Sequence, residues 1–247
     1  MAKTNGLGDN FYVGGYDLSG DINALGTISG SVGTLDVTGI NKYGYERVPG
    51  QASGSLEFTS LFNPTTGQAH DILGNLPTTD VQMSYFRGQA VGNAAASMVA
   101  KQPNYDGTRG DDGDFKFQVG ATSNGYGLEW GQQLTAGVRT DTTATNGASI
   151  DTTASASFGG QAYLHVFGFT GTDVTIKIQD SANDSTWADV SGFGFTQITA
   201  GNTAERIALG STATLRRYLR VITITSAGFT SVAFAVNVVK NTATTLF

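Results

Sequence analysis

In residues 173–180, DVTIKIQD, Val174, Ile176 and Ile178 alternate with Thr175, Lys177 and Gln179. A period of two sends every second side chain to the same face, so this run predicts a half-buried strand and excludes an amphipathic helix. Strand composition recurs along the second half of the chain. QAYLHVFGF (161–169), TLRRYLRVITIT (214–225) and TSVAFAVNVVK (230–240) are further strands, the last with Val232, Phe234, Val236 and Val238 on one face. SANDSTWADV reads as a polar turn leading into another strand, with Trp187 and Val190 as its packed residues. Short strands at this spacing, with no helix between them, predict an antiparallel β-sandwich of jelly-roll or immunoglobulin-like type over residues 155–247.

The first half, residues 1–137, is also predicted to be β. YVGGYDLSGDI reads as an arm or edge strand within the Gly-rich residues 1–30. SVGTLDVTGI (31–40) and QASGSLEFTSLF (51–62) flank NKYGYERVPG, the pattern of a long hairpin around a polar connection. Residues 68–73, within NPTTGQAHDILGNL, favour one short helix that Gly74 can end. DVQMSYFRGQAVG (80–92) and FKFQVGATS (115–123) return to strand composition, and the Ala/Met-rich start of 93–114 fits strand or helix. Residues 138–154, VRTDTTATNGASIDTTA, have almost no large apolar side chains and are expected to be a linker.

Charge and composition narrow the function. Only 14% of residues are charged and 34 are Gly, which suits close-packed sheets and surfaces covered by neighbouring subunits. Residues 1–137 hold seven Lys/Arg against thirteen Asp/Glu, whereas residues 138–247 hold seven of each. A first half of that sign repels phosphate, which argues against tight DNA binding. The absence of Cys excludes disulfides and thiol chemistry. No apolar run approaches the roughly 20 residues that span a bilayer, so membrane insertion is not expected. MAKTNGLGDNF lacks the apolar core of a signal peptide, and synthesis in the cytoplasm is expected.

The most polar stretch is NYDGTRGDDGDF (104–115). As a calcium loop it fails, because Asp112 and Asp114 alternate but no Glu closes the shell. Arg109-Gly110-Asp111 is a three-residue match to an adhesion tripeptide, too short to carry that function. The favoured reading is a hairpin turn in which Gly107, Gly110 and Gly113 supply positive φ and the Asp side chains cap their own backbone. Its crowded carboxylates are tolerable only in water or against a partner's cations.

Catalysis finds little support. His70 falls on the expected helix, and His165 sits in a strand beside Tyr163 and Phe167, as a packed residue would. No nucleophile elbow, zinc-protease, phosphate-loop or dinucleotide signature is present. A carboxylate pair for glycoside hydrolysis leaves no mark in a sequence. Arg216, Tyr218 and Arg220 share one strand face opposite Leu215, Leu219 and Val221, as on a solvated or interface-facing strand. Trp130 and Trp187 are either core residues or sugar-stacking platforms. No enzyme activity, cofactor or metal is expected.

At residues 70–137 the chain resembles the tail tube proteins of long-tailed actinobacteriophages. The stretches LPTTDV, YFRG, NYDGTRGDDG and NGYGLEWG carry that resemblance. QAYLHVFGFTGTDVTIKIQDSANDSTWADV and RRYLRV resemble the accessory β-sandwich fused to many such proteins. The resemblance implies a tail-tube-type β-sandwich with one flanking helix over 1–137, a linker over 138–154 and a decoration domain over 155–247. It implies homohexameric rings stacked into a virion tail tube, assembled in the host cytoplasm, with other tail proteins as partners and DNA passing through during ejection. Asp106, Arg109, Asp111, Asp112, Asp114, Tyr45, Glu46 and Arg47 are then the candidates for lumen or inter-subunit contact. The alternative is a tail-tip or surface module that binds host glycans.

Overall fold

The alternation at residues 174–178 is realised in a strand and the bridge residue before it: Val174, Ile176 and Ile178 are buried while Thr175, Lys177 and Gln179 are less so. The computed structural model describes residues 7–244. The protein is almost entirely β, in antiparallel sheets, with one short helix among the described residues. It divides into two compact units that interleave along the chain. One comprises residues 1–20, 82–97 and 130–247; the other comprises residues 21–81 and 98–129. The sequence suggested two contiguous halves instead.

The larger unit contains a sandwich. One layer includes β11 (Gly160–Gly171) between β14 (Thr203–Ala208) and β16 (Phe229–Lys240), with β8 (Glu129–Gln133) and β9 (Arg139–Asp141) also on β16. The other runs β10 (Asn146–Asp151), β15 (Tyr218–Ile224), β12 (Thr175–Ser181), β13 (Trp187–Gly194). Leu164, Val166, Phe234 and Val236 from the first layer meet Ile176, Ile178, Leu219 and Val221 from the second in one apolar cluster. Burial of these faces from both sides is the main force holding the unit together.

Residues 138–154, expected as a linker, instead carry β9 and β10. Their short side chains contribute little core, so pairing comes from neighbours: β9 on β16 and β10 on β15. Arg139 anchors this segment, donating to both carboxylate oxygens of Asp141 at 2.8 and 2.7 Å.

The same unit includes β1 (Asn10–Val13), β2 (Tyr16–Asp17) and most of β5 (Val81–Phe86). His165 is fully buried here, beside Tyr12 and Phe167. The Gly15 N–H donates to Nδ1 at 3.3 Å, which fixes the proton on Nε2, 2.9 Å from the Ser84 hydroxyl. Ser84 and Ser97 hydroxyls lie 2.7 Å apart, and Asn237 Nδ2 donates to Ser97 at 2.9 Å. Burial pushes the His165 pKa down to about 3, so the ring is neutral.

The acidic unit is a sheet in the order β3 (Ile22–Asp36), β4 (Arg47–Leu61), β7 (Phe115–Ser123) and the later part of β6 (Ala94–Arg109). The Ala/Met-rich segment therefore resolves as strand. The hairpin exceeds its predicted extent, beginning at Ile22 and resuming at Arg47. Gly26, Gly30, Gly33, Gly50 and Gly54 lie in its strands, where their lack of side chains hides strand periodicity.

The helix α1 (Ala69–Leu73) packs Ala69 and Leu73 inward and ends at Gly74, whose N–H donates to His70 O. Asp21, at the entry to β3, takes hydrogen bonds from Ala69 N at 3.0 Å and Asn63 Nδ2 at 2.9 Å. An aromatic group joins helix and sheet. Tyr105 stacks on Phe117 at 4.1 Å between centroids, and His70 Nδ1 is 3.3 Å from the Tyr105 hydroxyl.

Candidate assembly surface

Pleating gives the acidic unit two unlike sheet faces. Leu56, Phe58, Phe117, Val119 and Ala121 are buried on one. On the other, Glu57, Gln118, Asp106 and Thr108 are exposed. This second face is laced by side-chain hydrogen bonds: Gln118 Nε2 to Thr59 Oγ1 at 2.9 Å, Thr27 Oγ1 to Glu57 Oε2 at 3.1 Å, and Asn104 Nδ2 to Asp106 Oδ2 at 2.7 Å. Five Lys/Arg and eleven Asp/Glu belong to this unit, so it holds the chain's whole charge excess of −6.

The site residues expected from sequence gather at opposite ends of the sheet. Asp106 lies on the polar face opposite Gln118, and Arg109 closes β6 opposite Phe115. Asp111, Asp112 and Asp114 follow in the turn to β7. There the Gly110 N–H donates to Asp114 Oδ1 at 3.1 Å, and Asp114 N–H donates to Asp112 Oδ1 at 3.3 Å. Asp114 also pairs with Lys116, whose hydrogen bond holds the carboxyl below its ordinary value. The turn is self-capped as expected, but of its three glycines only Gly113 has a positive φ, +91°. Gly107 is a strand residue paired with Phe117. At Gly110 a Cβ would meet only the carboxylate ends of Asp114 and Asp112, which would have to swing away from the turn.

Tyr45 and Glu46 end the connection between β3 and β4, and Arg47 opens β4 opposite Asp36. Since β4 runs from Arg47 to Leu61, and Leu61 pairs with Lys116, a strand length of roughly 45 Å separates this loop from the acidic turn. The loop is ordered by its own bonds. Thr38 Oγ1 donates to Asp36 Oδ1 and accepts from Glu46 N, Lys42 pairs with Glu46 at 2.8 Å, and Arg47 sits 4.7 Å over the Tyr45 ring.

Sequence reasoning named Tyr45 but missed the loop's other apolar residues, Val37, Ile40 and Tyr43. Val37 and Tyr45 are more than half exposed, and Ile40 and Tyr43 reach 109% and 110% of their reference surface. The signal was present: isolated large apolar side chains inside a polar connection have no core to enter. Among the described residues, β3 pairs only with β4, leaving one long edge open.

Among the described residues no three His, Asp or Glu side chains converge as a metal cage. His165 has no solvent access.

No protein-family model and no curated protein matches the chain. Among solved structures, it is similar to a chain of the virion of a native gene transfer agent particle, with 14% identity and a TM-score of 0.41. That alignment covers 52% of this chain and 98% of the other. It is similar to a chain of the tail of an empty gene transfer agent particle, described with C6 symmetry, at 17% identity and TM-score 0.39, covering 51% and 97%. The Dit protein of phage SPP1, described as a hub adsorption apparatus protein, aligns over 94% of this chain and 99% of its own at 12% identity and TM-score 0.33. At these identities and TM-scores the likeness is distant.

Proposed function

We propose that this protein is a structural subunit of a virion tail, which forms homohexameric rings that stack into the tube of a long-tailed actinobacteriophage. The observation that carries the reading is the hairpin end, where Ile40 and Tyr43 stand wholly in solvent on a loop ordered by its own hydrogen bonds. Apolar side chains held out in this way are an interaction surface awaiting a partner. The tail-protein resemblance of residues 70–137 supplies the kind of assembly.

Two further features support it. The open edge of β3 and the last part of β6 lie at opposite margins of a four-stranded sheet, so copies joined edge to edge form a heterologous contact that closes as a ring. Six such sheets at about 4.8 Å per strand give a barrel of roughly 37 Å between backbones, before strand tilt is added. In that ring Glu57, Asp106 and Gln118 face the channel, where a polar, net-acidic wall repels DNA and lets it slide during ejection. Ring-to-ring contact falls to the two ends, with Ile40, Tyr43 and Arg47 of one copy meeting the Asp111–Asp114 turn of the next.

Negative-stain electron microscopy of the purified protein over a range of concentrations tests this reading. Rings or hollow tubes are expected, and Ile40→Ser with Tyr43→Ser should stop stacking while leaving the fold intact. Particles of single-subunit size at every concentration, for wild type and variant alike, would overturn it.

A further inference from the structure

The larger unit contains a groove of about 640 Å³ between Trp130, on β8, and the irregular loop at residues 152–158. Trp130 is 50% exposed, an uncommon state for an indole that has a core available. The groove is also lined by the exposed residues Thr153, Ser155, Ser157 and Thr242; the Thr153 hydroxyl donates to Thr152 O at 2.6 Å and the Ser157 hydroxyl lies 2.8 Å from that of Thr214, each keeping lone pairs with which to accept. None of the lining residues is acidic.

The loop opposite the indole is fixed before anything binds. Lys240 reaches under it, and its ammonium donates to Thr152 Oγ1 at 2.7 Å, Ala154 O at 2.5 Å and Arg216 O at 2.7 Å. All three of its protons are thus committed inside the protein. Thr152 N–H donates to Arg217 O, and Ala156 bridges Leu215 in both directions. Thr153 adopts φ +69°, a left-handed backbone rarely taken by a β-branched residue, secured by its N–H on Asp151 Oδ1 at 2.8 Å. Strain of this kind is retained only where surrounding structure enforces it.

We propose that this groove is a binding site for a neutral oligosaccharide. The apolar C–H face of a hexose stacks on the Trp130 indole, and the serine and threonine hydroxyls opposite take its hydroxyl groups. A site of this volume falls within the range of small-ligand clefts. Neutrality of the ligand follows from the lining: no carboxylate attracts a cation, and the one nearby ammonium has no proton left for an anion. The site belongs to the neutral unit and is independent of the assembly surface.

The test is titration of the full-length protein with maltotetraose, cellotetraose, mannotetraose and N-acetylchitotetraose, followed by calorimetry and by tryptophan emission in a Trp187→Phe background. At least one of the four should give saturable binding with a blue shift of Trp130 emission. Trp130→Ala should weaken that binding at least tenfold, and Trp130→Phe should recover part of it. Circular dichroism melting of each variant confirms that the fold persists. Absence of saturable binding to all four sugars, or equal binding by Trp130→Ala, would overturn the proposal. Either result leaves ring formation untouched, so the two readings fail separately.

Discussion

Leu128 lies directly on Gly54: a Cβ at residue 54 would stand 2.5 Å from the Leu128 backbone nitrogen and 2.6 Å from its Cβ. The segment after β7 therefore packs against the hairpin through a position that tolerates no side chain. Gly54→Ala should destabilise the protein by about 1–3 kcal/mol through overpacking. Gly44, with nothing within 4 Å of a Cβ, provides the control. Urea unfolding of both alanine variants should show a lower midpoint for residue 54 and little change for residue 44.

His165 makes stability depend on pH in a defined window. Its folded pKa, about 3, lies below the unfolded value of 6.5, because burial opposes the charged ring. The unfolded chain therefore takes up a proton that the folded chain refuses. The contribution is fully present above about pH 6.5 and is lost as pH falls toward 3, at up to about 1.4 kcal/mol per unit. Asp151 and Asp173, both held to about 2 by hydrogen bonds, change stability only below the ordinary carboxylate range of about 4. Between pH 6.5 and 4.5 the slope of unfolding free energy should flatten in His165→Gln. An unchanged slope there would reject the assignment.

Charge on the polar sheet face should govern how an assembled tube treats DNA. Glu57 and Asp106 are exposed and lie on that face. Tubes of the Glu57→Lys, Asp106→Lys double variant should retain duplex DNA in a salt-dependent manner, and wild-type tubes should not. Co-sedimentation at two salt concentrations measures the difference. Equal retention by the two proteins would place this face outside the channel.

Lys240 should act as a strut for the loop at 152–156. Lys240→Met removes the ammonium donor from the exposed Ala154 and Arg216 carbonyls, which water can then solvate, a loss of about 0.5–1.5 kcal/mol. Hydrogen exchange should speed up across residues 152–156 before it does in β11 or β16. Uniform exchange across the unit would show that the loop is held by other contacts.

Legibility of the fold followed periodicity. Residues 161–169, 173–180 and 230–240 announced themselves because one face of each strand meets the sandwich core. The hairpin was located but cut short, since its glycines and serines carry no alternation. The supposed linker hid two strands because β9 and β10 gain their order from distant neighbours and from the Arg139–Asp141 pair, neither of which is a local signal. At the surface, Tyr45, Glu46 and Arg47 were found from their polar setting, whereas Val37, Ile40 and Tyr43 were passed over for lack of a periodic pattern. The roughly 45 Å between the hairpin end and the acidic turn follows from register, which no single strand reveals.

The interleaving of the two units sets an order of completion during synthesis. Every residue of the acidic unit has been made once the ribosome passes residue 129, whereas β16, which joins β11, β8 and β9, ends at Lys240. At translation speeds of about 5–20 residues per second, β5, complete at Phe86, waits roughly 8–30 s for the end of that last strand, and β1 waits longer. During this interval Tyr12 and Phe86 lack the Ala235 that later completes their cluster. The nascent chain thus carries a finished acidic unit beside apolar strands that need shielding, and any stop before Phe229 releases it in that state.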